Sequence, residues 1–395
     1  MSVYEKSLTA PVATERTAWG AIIALALGAA SFVTSELLPA SLLTPIAEGL
    51  GVSEGMAGQA ISAAAFVAIF ASLFATTLTR HVDRQLVAMT CTGLVAVGAL
   101  VVALAPNYFV MLTGRVLFGL GLGAFWAMSP SLILRLARTE DVPKALSLLF
   151  GAIPVAMMVS VPMASFLGAH VGWRGVFFVA SALAVLCLLL QALTVPALPA
   201  RRRGNVLAVF ALRKQAGIPL AMLALFCVFA GKFSFFAYIR PFLEIRGGFD
   251  VVAISTMLLV FGASNLVGTS ASSLMIRRDL KTTLAVPPLV VAFCAAGLLL
   301  ASATPWSYGA FFALWGFSIG FIPVAWTTWV TRVLGHDAEN AGCMQFAVMQ
   351  SAIATGVICG GVVIDTLGTG APLALGACLL GTGFILIVAG IRRGP

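Results

Sequence analysis

Residues 196–204 read PALPARRRG and lie within the longest polar stretch of the chain, about 196–217. Two prolines remove backbone donors and three arginines follow, so no apolar helix continues through this point. On either side the chain turns apolar. A helix needs about 20 such residues to cross the hydrocarbon core of a bilayer. Six runs of that kind precede the polar stretch, at 19–43, 55–78, 86–105, 108–134, 146–168 and 174–195. Six follow it, at 218–242, 251–275, 282–303, 307–331, 342–364 and 371–391. The narrowest separation is between the fifth and sixth, where only Gly168 to Trp173 marks a turn.

Composition gives the same answer. Of 395 residues, 61% are hydrophobic and 9% are charged, whereas soluble domains carry roughly a quarter charged residues. Too little charge remains to cover a soluble surface. The reading is an all-α membrane protein of twelve transmembrane helices. Its expected organisation is a cytoplasmic tail (1–18), a six-helix bundle (19–195), a cytoplasmic central loop (196–217), a second six-helix bundle (218–391) and a short tail (392–395). The polar, mixed-charge residues 1–18 do not look like a cleavable signal.

The basic residues test this count. With the N-terminus inside, 18 of the 23 Lys and Arg fall in inner segments; three, Arg174, Arg240 and Arg246, fall on the outer side, in outer loops or at the span ends that meet them. That asymmetry is the positive-inside pattern, so the net charge of +9 belongs to the cytoplasmic face and its anionic lipid, not to nucleic acid. Trp19, Trp173 and Trp306 stand at span ends, where interfacial anchors belong. The seven cysteines lie in apolar stretches with no metal-ligand spacing, so they read as small buried hydrophobes; no metal and no cofactor are expected.

The halves echo one another. RHVDR (80–84) follows the second span and RRDLK (277–281) the eighth. Gly119 and Gly123 of the fourth span have counterparts in Gly316 and Gly320 of the tenth, positions for close helix packing. A duplicated six-helix unit is one transporter plan, with the binding site between halves near mid-depth.

Arg115 followed by Gly119, Gly121 and Gly123, the GWRGVF stretch (172–177), and phrases such as SELLPASLLTPIAEGLGVSEGMAGQ (35–59) and FFAYIRPFLE (235–244) carry a resemblance. The chain resembles the drug:proton antiporter group of the major facilitator superfamily. That implies two pseudo-symmetric six-helix bundles in the bacterial inner membrane, both termini cytoplasmic, working as a monomer. It also implies proton-coupled export of a small polar organic molecule, with purine ribonucleosides leading and a sugar or drug as the alternative. Two family motifs are incomplete. Thr76 to Gln85 lacks the usual glycines, and the fifth span reads Val161-Pro162-Met163-Ala164-Ser165, without the glycines expected around Pro162.

Few polar residues lie inside the spans, and they carry the mechanism. A charge at bilayer depth costs about 2.5–3.5 kcal/mol on translocon scales, so an intramembrane carboxyl is a functional candidate. Glu36 and Arg115 each lie some seven residues, roughly 10 Å, from the outer ends of their spans. The expectation is that Glu36 carries the proton and touches substrate, with Arg115 as its electrostatic partner; a structural ion pair is the competing reading. Lys232, near the middle of the seventh span, is a second coupling candidate, or a lysine directed to a nearby carbonyl. Gln59, Asn265, Gln345 and Gln350 are candidate hydrogen-bonding groups for substrate, or ties between helices. Trp126 and Tyr238 are the chosen stacking faces for a planar ring.

Enzymatic readings are weak. Gly316-Phe317-Ser318-Ile319-Gly320 matches G-x-S-x-G, but His81, His170 and His336 all fall in loops, away from any such serine. An intramembrane serine protease is therefore a distant alternative. No G-x-x-x-x-G-K-[ST] loop is present to bind ATP.

Overall fold

The structure is a computed structural model and describes residues 17–199, 217–301, 304–334 and 338–390. Most of the central loop and of both tails therefore lies outside the described residues, as does His336. Everything described is helix or short connection. In lipid each backbone N–H and C=O must be satisfied within the structure, and helices do this segment by segment.

The described residues form twelve spans that run back and forth. They are α1 (Trp19–Ser41), α2 (Glu54–Leu78), α3 (Arg84–Ala103), α4 (Tyr108–Leu136), then α5 and α6. The last two, 142–171 and 173–194, are arms of one run, Val142–Thr194, broken at Gly172. The second half holds α7 (Ile218–Phe236), α8 (Val251–Arg278), α9 (Leu280–Leu300), α10 (Pro305–Val333), α11 (Ala338–Leu367) and α12 (Ala371–Gly390). At Gly172 the backbone has φ 72° and ψ 163°, a conformation that an L side chain rarely adopts. One residue thus makes the whole turn that the sequence marks at 168–173.

Local chemistry sets the helix starts, and it repeats between halves. Ser53 caps α2 and Asp250 caps α8, each accepting from the backbone N–H three residues on. Asp83 caps α3, accepting from the Gln85 N–H, and Asp279 caps α9, accepting from the N–H groups of Lys281 and Thr282. Asn107 caps α4, and Thr304 opens α10 with a reciprocal capping box to Ser307. Each cap answers at least one of the four N–H groups that a helix start leaves free.

The spans form two six-helix bundles. In the first, α4 lies backbone to backbone on α2: a methyl at Gly119 would meet the Ala64 carbonyl, and one at Gly123 the Ala68 carbonyl. In the second, Gly316 of α10 abuts Phe261 of α8, and Gly320 abuts Asn265 and Gly268. These four glycines do the close packing expected of them. Gln191 of α6, fully buried, accepts a hydrogen bond from Thr92 of α3 at 2.9 Å and donates to the Ala24 carbonyl of α1 at 3.5 Å.

Two helix pairs join the bundles: α2 with α11, and α5 with α8. At the second, the backbone of Gly262 lies on that of Met158. The hydrogen bonds that Thr44, Ser53, Gly55 and Arg240 make across the two bundles lie at one end, opposite the end that carries Arg80, Arg84, Arg277 and Arg278; these are the far end and the basic end below.

Two expectations need correction. Trp173 is not an interfacial anchor: it is 5% exposed, its indole packs on Gly49, and Arg174 covers it at 4.1 Å. Trp306, in contrast, is 90% exposed. Nor are all cysteines buried, since Cys359 and Cys378 are exposed.

Candidate central site

Glu36 sits in the far half of α1, in the turn before Pro39. Its side chain is only partly covered, while most of its neighbours on α1 are buried. Three groups act on its carboxyl: Arg115 from α4, Lys232 from α7 and the Gln350 side chain from α11. Two of the three belong to the other bundle. The acid expected to carry a proton is therefore set where the bundles face one another.

Neither cation forms a direct ion pair with it. The Arg115 guanidinium is 2% exposed; its Nε donates to the Ala60 carbonyl and its Nη1 to the Ser35 carbonyl, both at 2.9 Å. Its face lies 4.4 Å from the centre of the Phe118 ring, and its Nη2 has no partner among the described residues. Its influence on Glu36 is thus through space. Lys232 is also buried, with Nζ 5.0 Å and 5.6 Å from the ring centres of Phe233 and Phe229. Aromatic faces attract a cation and offset part of its lost hydration.

The neutral candidates divide. Gln350 is 3% exposed and its Oε1 has no partner among the described residues, so it can accept a hydrogen bond from a bound molecule. Gln345, also on α11, is held by Thr327 at 3.4 Å and approaches the Met349 sulfur. Asn265 is buried where α8 meets α10. Gln59 turns back to the Gly55 carbonyl at 3.3 Å and lies near Gly361, in the α2–α11 junction.

Of the two chosen aromatics, Trp126 is partly exposed and stacks on Phe150 at 6.3 Å, with Phe125 edge-on at 5.8 Å. Tyr238 is in a different setting. It has no exposed surface, its hydroxyl donates to the Val357 carbonyl at 2.8 Å, and its ring fills the gap against Gly58, Gly360 and Gly361. Pro162 lies in α5, within the run Val142–Thr194.

Sequence reasoning passed over the groups that close the far end. Arg240, counted there as an outer-side residue, is 4% exposed in a short helix, Ile239–Pro241. It pairs with Glu244 at 2.8 Å and reaches the Ser41 carbonyl and Ser165 hydroxyl of the first bundle. Thr44 donates to Glu244 at 2.6 Å. A cavity of about 710 Å³ opens beside them, lined by Thr44, Glu48, Glu54, Arg240 and Glu244 among others.

A twelve-helix membrane carrier is what these features define: two bundles, a buried charged site between them, and a closure at one end. The chain belongs to the major facilitator superfamily, whose family model matches residues 22–354. It is 40% identical over 380 residues to the purine ribonucleoside efflux pump NepI of Salmonella enteritidis PT4 (strain P125109), covering 96% of each chain. The pump of the same name from Salmonella typhimurium shows the same identity and coverage. Among solved structures, a D-xylose-proton symporter superposes with a TM-score of 0.79 at 16% identity, over 96% of this chain and 98% of that one. The xylose transporter XylE from E. coli, in an inward-open conformation, gives 0.76 at 16% identity over 95% and 97%. These last two support the fold.

Proposed function

We propose that this carrier exports purine ribonucleosides across the bacterial inner membrane in exchange for protons. The observation that carries the reading is Glu36, a partly accessible carboxyl in the membrane, facing a lysine and a glutamine of the opposite bundle. Intramembrane acids are costly and mark ion or proton pathways. The kinship with efflux pumps of 40% identity supports the substrate class and the direction.

In this reading the basic end is cytoplasmic, by the positive-inside pattern, and the far end faces outward. The ties at Arg240, Thr44, Ser53 and Asp365 then belong to the outer gate, and the conformation is open to the cytoplasm. A nucleoside entering from inside takes hydrogen bonds from the Lys232 ammonium and gives them to Gln350, with Trp126 supplying a ring face. Asn265, Gln59 and Gln345 line or brace the site. Glu36 releases its proton to the cytoplasm as substrate binds and takes one from outside after release. The two ligands drive opposite conformations because each has a higher affinity for one of them. One chain suffices for the cycle, and the 196–217 loop links its two rocking halves.

The test uses purified protein in liposomes with a pH-sensitive dye inside. Inosine or adenosine should trigger proton movement, and Glu36→Gln should abolish it while the protein still folds and inserts. Proton movement elicited by sugars or antibiotics but not by nucleosides would replace the substrate, and full gradient-driven export by Glu36→Gln would end the proton assignment.

A further inference from the structure

α1 contains Pro39 in its interior. A proline has no N–H, so the carbonyl four residues earlier loses its helical partner. That carbonyl belongs to Ser35, the residue next to Glu36. In a membrane interior an unanswered carbonyl is costly, and neighbouring helices must supply a donor. Here the donor is Arg115, whose Nη1 lies 2.9 Å from the Ser35 oxygen. Its Nε is fixed at the same time to the Ala60 carbonyl of α2 at 2.9 Å, and its face rests on Phe118. Ser35 and Arg115 are each 2% exposed, so water does not substitute readily.

We propose that Arg115 is a positioning residue: it replaces the hydrogen bond that Pro39 removes from α1 and thereby fixes the turn that aims Glu36 at Lys232 and Gln350. The inference rests on Glu36 as the proton carrier. It differs from a counter-ion role in what must be preserved. A counter-ion acts through its charge; a positioning residue acts through donation to one carbonyl. The geometry favours the second, because both described hydrogen bonds of the guanidinium go to backbone oxygens of α1 and α2, and none goes to the carboxylate. The proline, which frees the carbonyl, and the arginine, which answers it, form one unit across α1 and α4.

The two roles separate in a double substitution. Pro39→Ala restores an N–H that can answer Ser35 from within α1. Arg115→Met alone should lower kcat at least about tenfold with KM within about twofold, as a displaced reacting group does. Arg115→Met with Pro39→Ala should recover most of that loss. A substrate-independent readout accompanies it: the pH profile of carbodiimide modification of Glu36, followed by mass spectrometry. The double variant should return this profile most of the way to that of the parent, short only of the part that the lost Arg115 charge itself supplies. A double variant as slow as Arg115→Met, with the same displaced profile, would overturn the proposal in favour of a charge effect. If Arg115→Met does not fold, Arg115→Leu with and without Pro39→Ala carries the same comparison, since leucine also has no donor. Failure of the Glu36 reading itself looks different: Glu36→Gln would keep gradient-driven export, whatever Pro39→Ala does.

Discussion

Asp365, at the end of α11, accepts two hydrogen bonds from the start of α2: one from the Ser53 hydroxyl at 2.7 Å and one from the Gly55 amide at 3.1 Å. Ser53 meanwhile caps its own helix through Met56 N–H. A helix start is a favourable place for a carboxylate, because its free N–H groups and its dipole both face the charge. The second bundle thus completes a helix terminus of the first.

Asp365→Ala removes this tie and should loosen the far end. Bonds to a charged acceptor at a partly exposed site are worth about 1 kcal/mol or somewhat more, which is roughly a fivefold shift in a two-state population. A cysteine at Gln59, behind the junction, should react about fivefold faster with a membrane-impermeant maleimide applied from that side. Unchanged labelling would remove Asp365 from the closure.

Arg240 and Glu244 permit a ranking. Arg240→Met leaves Glu244 facing Thr44 without its cation and frees two acceptors of the first bundle, Ser41 and Ser165. Breaking a buried pair from one side costs about 3–5 kcal/mol, and Glu244 is partly exposed, so the lower end applies. Glu244→Gln keeps an acceptor for Thr44 and should cost less. Thermal unfolding in detergent should order the midpoints parent, Glu244→Gln, Arg240→Met; a reversed order of the two variants contradicts the geometry.

The glycine contacts differ in what a methyl would meet. At Gly123 and Gly320 it would be driven into backbone of the facing helix, whereas at Gly151 and Gly381 nothing lies within 4 Å. Overpacking costs about 1–3 kcal/mol. Gly123→Ala and Gly320→Ala should each lower the unfolding temperature, and Gly151→Ala and Gly381→Ala should leave it unchanged or raise it. Equal behaviour of the two pairs would refute the close approach of α2 to α4 and of α8 to α10.

Tyr238→Phe deletes only the hydroxyl bonded to Val357. The expected loss is about 1 kcal/mol of stability, with KM for substrate within twofold. A large rise in KM at unchanged stability would instead place this hydroxyl on the transported molecule.

The spans were legible because lipid imposes a composition over some 20 residues, which local sequence records. Even the α5–α6 junction was marked, by glycines around a tryptophan. Glu36, Arg115 and Lys232 stood out because a charge in an apolar run is rare and costly. The partners were less legible. Ser53 and Asp365 are 312 residues apart, and Thr44 and Glu244 are 200 apart, so only the assembled bundles bring them together. Arg240 looked like a loop cation because it follows an apolar run closely. Nothing local reveals that its guanidinium folds back under the end of α1. Tyr238 and Trp126 looked alike for a related reason: an aromatic in a span carries no sign of whether its neighbour is a glycine or an open face. Pro39 was visible in the sequence, but the donor that answers its missing bond lies on another helix.

Gly172 has a mechanical consequence. Because one residue turns α5 into α6, the hairpin has no slack to absorb a displacement. Movement of α5 along α8 must be handed on to α6, whose Gln191 is fastened to α3 and α1. The pair is built like a crank, with Gly172 as its elbow, and lengthening that elbow by a few flexible residues would decouple any stroke of α5 from the grip of α6.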